Sequence, residues 1–280
     1  QDVWGYGKYP DVVTSLEFER ILSAGGPTGG VLARPSDGKR PQRIGWIQCV
    51  GSRTTREPGK PYCSSVCCMF AMKEAVWALE HFNQELDATI FFMDMRPMGK
   101  DYEQYYQRVK NELGVNFLRC RPHSATLDEE TGELVLEYLG EDGQLAEARL
   151  DMLVLATGLC APADAVEQAE ILGVELDPHA FLASGDFAPA ATSRPGVYAC
   201  GMALGPKDIP DSLMQASAAA MQASLCLDPP RVPAAEKSLP PERDVSAEEP
   251  KVGVFLADFG GNAKKVVDFP ALLDYLGGRP

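Results

Sequence analysis

Basic residues are in short supply, with 26 Lys and Arg against 40 Asp and Glu and a formal charge of -14. Such a chain repels a nucleic-acid backbone or an anionic membrane surface on average, so neither is an expected partner. No uninterrupted apolar run approaches the roughly 20 residues needed to cross a bilayer. A basic-then-apolar signal sequence is missing as well. The expected location is cytoplasmic, with membrane association only through partner subunits. Histidine is scarce, and His81, His123 and His179 stand too far apart for a metal-ligand spacing. No G-x-G-x-x-G occurs: Gly25, Gly26, Gly29 and Gly30 lack both the spacing and the strand-to-helix setting of that fingerprint. Nor is there a C-x2-C redox pair, a Ser-His-Asp set or a carboxylate pair. The missing fingerprint and redox pair weigh against an NAD(P)H-dependent disulfide reductase.

What is present is enough for a packed core, since 45% of the 280 residues are hydrophobic. After a short helix around SLEFERILS and the connector GGPTGG, the pattern from Arg43 alternates strand and helix: RIGWIQCV, a helix from Val66 to Phe82, ATIFFMDM, the helix DYEQYYQRVKNELG, and VNFLRCR. Met69, Met72, Val76 and Leu79 recur at helical spacing. This order predicts an α/β fold with a parallel sheet and crossover helices. Residues 124–158 change to short segments separated by ETGE and EDGQ, an antiparallel meander returning to the buried strand LDMLVLATG. A strand GVYACG then leads through MALGPKDIP into the helix DSLMQASAAAMQASLC. Residues 228–250, with six prolines and many charges, read as a linker. Beyond it, KVGVFLADFGGN has a strand-and-turn pattern and KKVVDFPALLDYL a helical one.

Four of the eight cysteines are gathered in one strand-loop-helix stretch: Cys49 at a strand end, then Cys63, Cys67 and Cys68 around a helix start. Four thiolates tolerate one another only when a metal or cluster neutralises them, helped by the positive end of a helix. A 4Fe-4S cluster takes four such ligands. Zinc also accepts four, but its structural sites usually come as two C-x2-4-C knuckles, absent here, and adjacent Cys67 and Cys68 suit a larger cluster better. Incidental buried thiols are the remaining alternative. The turn that would carry the dinucleotide fingerprint is CVGSR, with a single glycine, Gly51, and a cysteine-bearing insertion. Asp94 occupies the place of a ribose-binding acid but reads more simply as a polar strand end. Cys120, Cys160, Cys200 and Cys226 are isolated and read as small hydrophobes.

The segments YGKYPDVVTSLEFERILSAGGPTGG, WIQCVGSR, YCSSVCCM, LVLATGL and GPKDIPDSLMQASAAA resemble the heterodisulfide reductase A-type iron-sulfur flavoproteins. They are also similar to the related flavoprotein subunits (B type included) of the quinone-interacting membrane-bound oxidoreductase of sulfate reducers. The resemblance covers roughly residues 4–226. It implies a thioredoxin-reductase-like flavoprotein core of two dinucleotide-binding domains, with FAD and an iron-sulfur cluster, working in an anaerobic multi-subunit complex. By this resemblance Cys49, Cys63, Cys67 and Cys68 ligate a cluster close to the flavin, and electrons pass between the two.

Residues 1–41 then read as connector and part of the FAD domain, 42–158 as an NAD(P)-binding-like domain bearing the cysteines, 159–227 as the rest of the FAD domain, 228–250 as linker and 251–280 as the start of a further module. On the flavin side, Ser212 and Gln215 have capping-box spacing, with Asp211 as another cap, and free amides at such a helix start stabilise negative charge on a reduced flavin. Gly201, Gly205 and Pro206 allow close backbone approach. Lys207 is a candidate for the flavin or a phosphate, and Asp208 stands in for the acid that many flavoproteins carry after Gly201, where this chain has Met202. The first FAD-binding glycine fingerprint is expected upstream of Gln1, so the chain reads as part of a longer polypeptide. In the last module Ala257, Asp258 and Phe259 stand where the family has a C-x-C-G signature. The competing reading is a docking domain whose cysteines hold zinc or nothing.

Overall fold

The computed structural model describes residues 3–81, 86–227, 244, 246–249, 253–258 and 263–278. The chain divides into two compact units, 1–228 and 229–280.

In the first unit, β1 (Val12–Thr14) leads into α1 (Ser15–Leu22), whose start is fixed by a capping box between Thr14 and Glu17. Next come β2 (Arg43–Val50), α2 (Cys67–His81), β3 (Asp87–Phe92), α3 (Tyr102–Asn111) and β4 (Asn116–Arg119). The antiparallel strands β5 (Arg121–Leu127), β6 (Leu134–Leu139) and β7 (Leu145–Leu150) follow, and the chain returns to the main sheet as β8 (Met152–Thr157). All pairings in the main sheet are parallel, in the order β1-β8-β2-β3-β4. The meander forms a separate sheet in the order β5-β6-β7. The α/β architecture with crossover helices and a meander is therefore as the sequence predicts. The helix expected from Val66 to Phe82 runs from Cys67 to His81, and Phe82 lies outside the described residues.

Strand alternation sorts the core onto two faces. Ile44 and Trp46 of β2 and Met152 and Val154 of β8 pack toward α1 and α2, meeting Phe18, Leu22, Met72 and Leu79. Ile47, Leu153 and Leu155 face the other way, against Leu134 and Leu136 of the meander. The meander is tied down by charge as well. Arg43 reaches Glu133 at 2.5 Å and Asp151 at 3.0 Å, and Arg149 reaches Asp128 and Glu133 at 2.9 Å each. One buried acid interrupts the apolar layer: Glu74 of α2 accepts a hydrogen bond from Trp46 Nε1 at 3.0 Å, and burial pushes its carboxyl up to about 8.

After β8 come α4 (Ala165–Leu172), a 3-10 turn over Gly201–Leu204 and α5 (Ile209–Leu225). The strand expected over Gly196–Gly201 is absent. Tyr198 makes only an isolated antiparallel bridge to Ala191, and the segment has no neighbouring strand among the described residues to extend a ladder. Apolar alternation identifies a strand only where a partner edge is available to pair it.

Within the second unit, α6 (Phe269–Gly277) is capped by Asp268, which accepts from the Ala271 amide. Residues 253–258 form no strand, contrary to expectation, again without a pairing edge among the described residues. Phe259 and most of 228–250 lie outside the described residues.

Candidate functional site

The cysteine site begins with an irregularity in β2. Ile47 pairs with Leu155 and Val50 with Thr157, so β2 has one more residue than β8 over the same span. The extra residue is a bulge, and within it Cys49 takes φ = 59°, a left-handed conformation uncommon for a residue other than glycine. Bulges re-aim side chains beside functional sites. The loop that follows folds back on this corner: Arg53 N–H donates to Tyr62 O, Thr54 N–H to Lys60 O and Lys60 N–H to Gly51 O. Gly158, just past β8, closes it from the other side, since a Cβ there would stand 2.1 Å from Ser52 Oγ.

Cys67 and Cys68, both buried in the first turn of α2, pack with Ala156 and with half-buried Cys49. Hydrogen bonds from the thiols of Cys49 and Cys68 hold the Cys67 thiol far below its ordinary range, while donating to Cys67, together with burial, pushes Cys49 and Cys68 up. N–H groups point at three of the four sulfurs. Arg53 Nη1 lies 3.9 Å from Cys49 Sγ, the Ser65 amide donates to Cys63 Sγ at 3.4 Å, and the Arg96 amide donates to Cys68 Sγ at 3.5 Å. Beside them the amide of Gln48 and the hydroxyl of Ser64 are buried without a hydrogen-bond partner, although Ser64 lies next to Cys67. Among the described residues, no group of three or more His, Cys, Asp or Glu is arranged to hold a metal ion. A single ion requires all its donors at about 2.0–2.3 Å from one point.

Asp94, just beyond β3, is engaged on both sides, by Arg53 Nη1 and by Arg96 Nε at 3.1 Å. Burial favours its neutral form, but the two guanidinium groups overrule it and keep the carboxyl below its ordinary range. It is a bridged ion rather than an open strand-end acid.

On the flavin side the local start of α5 differs from the expected capping box. The cap is Asp208, whose Oδ1 accepts from the Asp211 amide at 2.9 Å, and Pro210 sits in the first turn. Proline loses nothing there, because the amide it lacks has no intrahelical partner, so the helix begins four residues earlier than Ser212 would set it. Ser212 Oγ instead donates back to Asp208 O at 2.7 Å, and Gln215 Oε1 accepts from the Gly201 amide at 2.9 Å. Asp211 contributes its amide to the cap, not its carboxylate. Lys207 Nζ folds onto the turn, donating to Gly201 O at 2.9 Å and Gly205 O at 2.8 Å, and partial burial lowers its pKa. Gly201 and Gly205, at φ = 65° and 122°, supply the backbone conformations that this turn requires. Pro206 lies between Gly205 and Lys207 in the same turn.

The two groups are linked through one segment. The Tyr62 ring, next to Cys63, meets Phe181 edge-on and His179 at a tilt, with centroids 5.7 and 4.8 Å apart, and its hydroxyl donates to Leu159 O at 3.2 Å. From that segment the Leu182 amide donates to Ala203 O at 2.8 Å, in the turn that Lys207 holds. Sequence reading missed Arg53, Tyr62 and Arg96. A cysteine corner crossed by two arginines close in sequence to Cys49 and Asp94 was the signal available for them.

A cleft of about 650 Å³ beside β1 and α1, lined by Tyr6, Tyr9, Val13, Leu16, Glu17 and Pro27 among others, contains none of the candidate residues. Among the described residues no helix is long and apolar enough to cross a membrane.

Residues 77–223 match the family described as pyridine nucleotide-disulphide oxidoreductase. The chain is 43% identical over 230 residues to the A-type iron-sulfur subunit of the CoB–CoM heterodisulfide reductase of Methanocaldococcus jannaschii, covering 80% of this chain and 34% of that protein. It is 44% identical over 232 residues to the first of the corresponding A-type subunits of Methanopyrus kandleri, covering 79% and 34%. The chain thus spans about a third of the length of these relatives. Among solved structures, T. acidophilum thioredoxin reductase is similar at 16% identity and a TM-score of 0.46, over 79% of this chain and 60% of that one.

Proposed function

The chain belongs to the pyridine nucleotide-disulphide oxidoreductase family, and from that premise we propose that it is the electron-transfer part of an iron-sulfur flavoprotein of the heterodisulfide reductase A type. One observation carries this reading. Three thiols, those of Cys49, Cys67 and Cys68, are packed together at the β2–α2 corner, and N–H groups are directed at the sulfurs of Cys49, Cys63 and Cys68. A dinucleotide-binding unit would hold a pyrophosphate at this corner.

The residues fit a 4Fe-4S cluster by their chemistry. Four cysteine sulfurs are the donor set such a cluster takes, and N–H donors directed at sulfur are what surrounds one. The Ser64 hydroxyl, buried beside Cys67, would lie against the group held there. Cys49, Cys63, Cys67 and Cys68 would hold the cluster. The turn at Gly201, Gly205, Pro206 and Lys207 and the α5 start at Asp208, Asp211, Ser212 and Gln215 would hold part of FAD. When bound, the cluster supplies one-electron transfer and the flavin exchanges one or two electrons.

The protein's own part is to fix the geometry. Lys207 locks the carbonyls of the turn, Gln215 takes the Gly201 amide, and Tyr62 couples the cysteine loop to that turn through Phe181 and the Leu182 amide. The bridged Asp94 and the cysteine-bearing insertion leave neither a ribose acid nor a glycine cradle at this corner for NAD(P)H. In its complex the chain works with other redox subunits, in an anaerobic heterodisulfide reductase-like or sulfate-reduction setting, and it reaches a membrane only through them.

The test is anaerobic purification of the chain and of Cys67→Ser, with iron, sulfide, zinc and flavin determined on both. About four irons per chain, absent from the variant, are expected for a 4Fe-4S site. Stoichiometric zinc, or a metal-free wild type prepared without oxygen, overturns the assignment.

A further inference from the structure

Three of the four candidate ligands receive an N–H donor, but two of these donors are backbone amides that no side-chain substitution removes. The third is the Arg53 guanidinium, which brings a full positive charge 3.9 Å from Cys49 Sγ. Arg53 is held there from two directions. Its backbone takes φ = 56° and donates to Tyr62 O at 3.0 Å, and its Nη1 is paired with Asp94. Asp94 in turn is shared with Arg96, whose amide faces Cys68. One carboxylate therefore sits between two arginines, each of which also contacts a different cysteine.

We propose that Arg53, Asp94 and Arg96 form an electrostatic clamp that sets the reduction potential of the group held by the cysteines, with Arg53 raising the potential and Asp94 opposing it. This inference rests on the cluster assignment made above. Reduction adds one electron to the site. A fixed positive charge near a sulfur favours the more negative, reduced form, and a fixed negative charge disfavours it, as do changes in hydrogen bonding to sulfur. Arg53 is a positioning residue in this sense, acting on the cluster through Cys49. The same clamp accounts for Asp94: with both oxygens held by guanidinium groups, it serves the cysteine corner rather than a ribose.

The test is a dithionite titration with redox mediators of anaerobically purified wild type, Arg53→Gln, Arg53→Lys and Asp94→Asn, followed by the EPR signal of the reduced cluster. Iron and sulfide are measured on every sample. In Arg53→Gln the ratio of reduced to oxidised cluster at a fixed potential is expected to fall about tenfold, roughly 59 mV in midpoint for one electron. Asp94→Asn keeps the shape but leaves Arg53 uncompensated, so its midpoint is expected to move the opposite way. Arg53→Lys, which keeps the charge, should lie above Arg53→Gln.

Opposite signs with full iron content are not the signature of a merely structural role, which would change loading or stability instead. A loaded Arg53→Gln with the wild-type midpoint, or an Asp94→Asn shift in the same direction as Arg53→Gln, overturns the clamp while leaving the cluster assignment intact. If Arg53→Gln loses its iron, identical midpoints in wild type, Arg53→Lys and Asp94→Asn overturn it as well. A wild type without iron overturns the cluster assignment itself, and the clamp with it.

Discussion

Helices α2 and α5 lie at the two halves of the proposed site and have similar apolar content, yet they are treated in opposite ways. Ten of the fifteen residues of α2 are buried, whereas none of the seventeen of α5 is. α2 is enclosed by the sheet and α1, and its first turn presents two cysteines inside the unit. α5 leaves Ile209, Leu213, Met214, Met221 and Leu225 exposed. Apolar residues distributed around a whole helix are the pattern of one surrounded by other protein. Among the described residues the cysteine corner is enclosed by other elements, whereas the surface of α5 is left uncovered.

The largest expected effect sharpens this contrast directly. Met72→Ala in α2 removes a fully buried side chain and should cost about 2–5 kcal/mol. Leu213→Ala in α5, which is 67% exposed, should stay within about 0.5 kcal/mol. Urea midpoints of the two variants read both. A large loss at Leu213 would mean that α5 is already covered in solution and would break the contrast.

Next in size is the acid inside the enclosed half. Glu74 titrates near pH 8 in the folded chain and near its ordinary 4.5 when unfolded, because burial disfavours its charge. Between those values the folded form holds a proton that the unfolded form has released, so stability falls as pH rises. The slope is about 1.4 kcal/mol per pH unit at most, complete above pH 8. Glu74→Gln keeps an acceptor for Trp46 Nε1 and cannot titrate. Its unfolding midpoints from pH 5 to 8.5 should therefore lack this decline, and an unchanged pH profile would mean that Glu74 is ionised in place.

A smaller effect probes the corner between the halves. Gly158→Ala forces a methyl against Ser52 and should cost about 1–3 kcal/mol, as overpacking does. In a Ser52→Ala background, with the obstructing oxygen gone, most of that loss should vanish in a double-mutant cycle. The smallest is at the α5 cap: Asp208→Ala should cost about 1 kcal/mol, and Ser212→Ala less. The reverse order would restore Ser212 as the cap.

The same contrast explains what could be read in advance. Apolar periodicity is local, so Met69, Met72, Val76 and Leu79 along α2 disclosed its buried face, and the parallel order followed from strand-helix alternation. The grouping of cysteines in the sequence pointed to the corner where Cys49, Cys67 and Cys68 pack. Partners far apart in the chain were not legible. Arg53 and Asp94 stand 41 positions apart, and nothing in either segment marks the other. Nothing in the segment around Glu74 marks it as buried, because its neighbour Trp46 lies 28 residues away in another element. The start of α5 was misplaced because Ser212 and Gln215 have valid capping spacing, and only the geometry shows that Asp208 and Pro210 reach the first turn ahead of them. The expected strand at Gly196–Gly201 failed for a related reason, since pairing depends on an edge that the segment's own sequence does not describe.

The bulge in β2 also bears on how such corners tolerate insertions and deletions. Only one residue separates the present run, with Gln48 and Cys49 both standing opposite Ala156, from one in step with β8 as far as Val50. Deleting Gln48 would restore that step, and Cys49 would then follow the ordinary inward-outward phase of the strand instead of the left-handed turn. A change of a single codon would thus preserve every cysteine in the sequence and still change the backbone that presents one of them, from a left-handed bulge to a regular strand position opposite Ala156. For this corner, chain length between Ile47 and Val50 sets how Cys49 is presented, independently of the identity of the thiols.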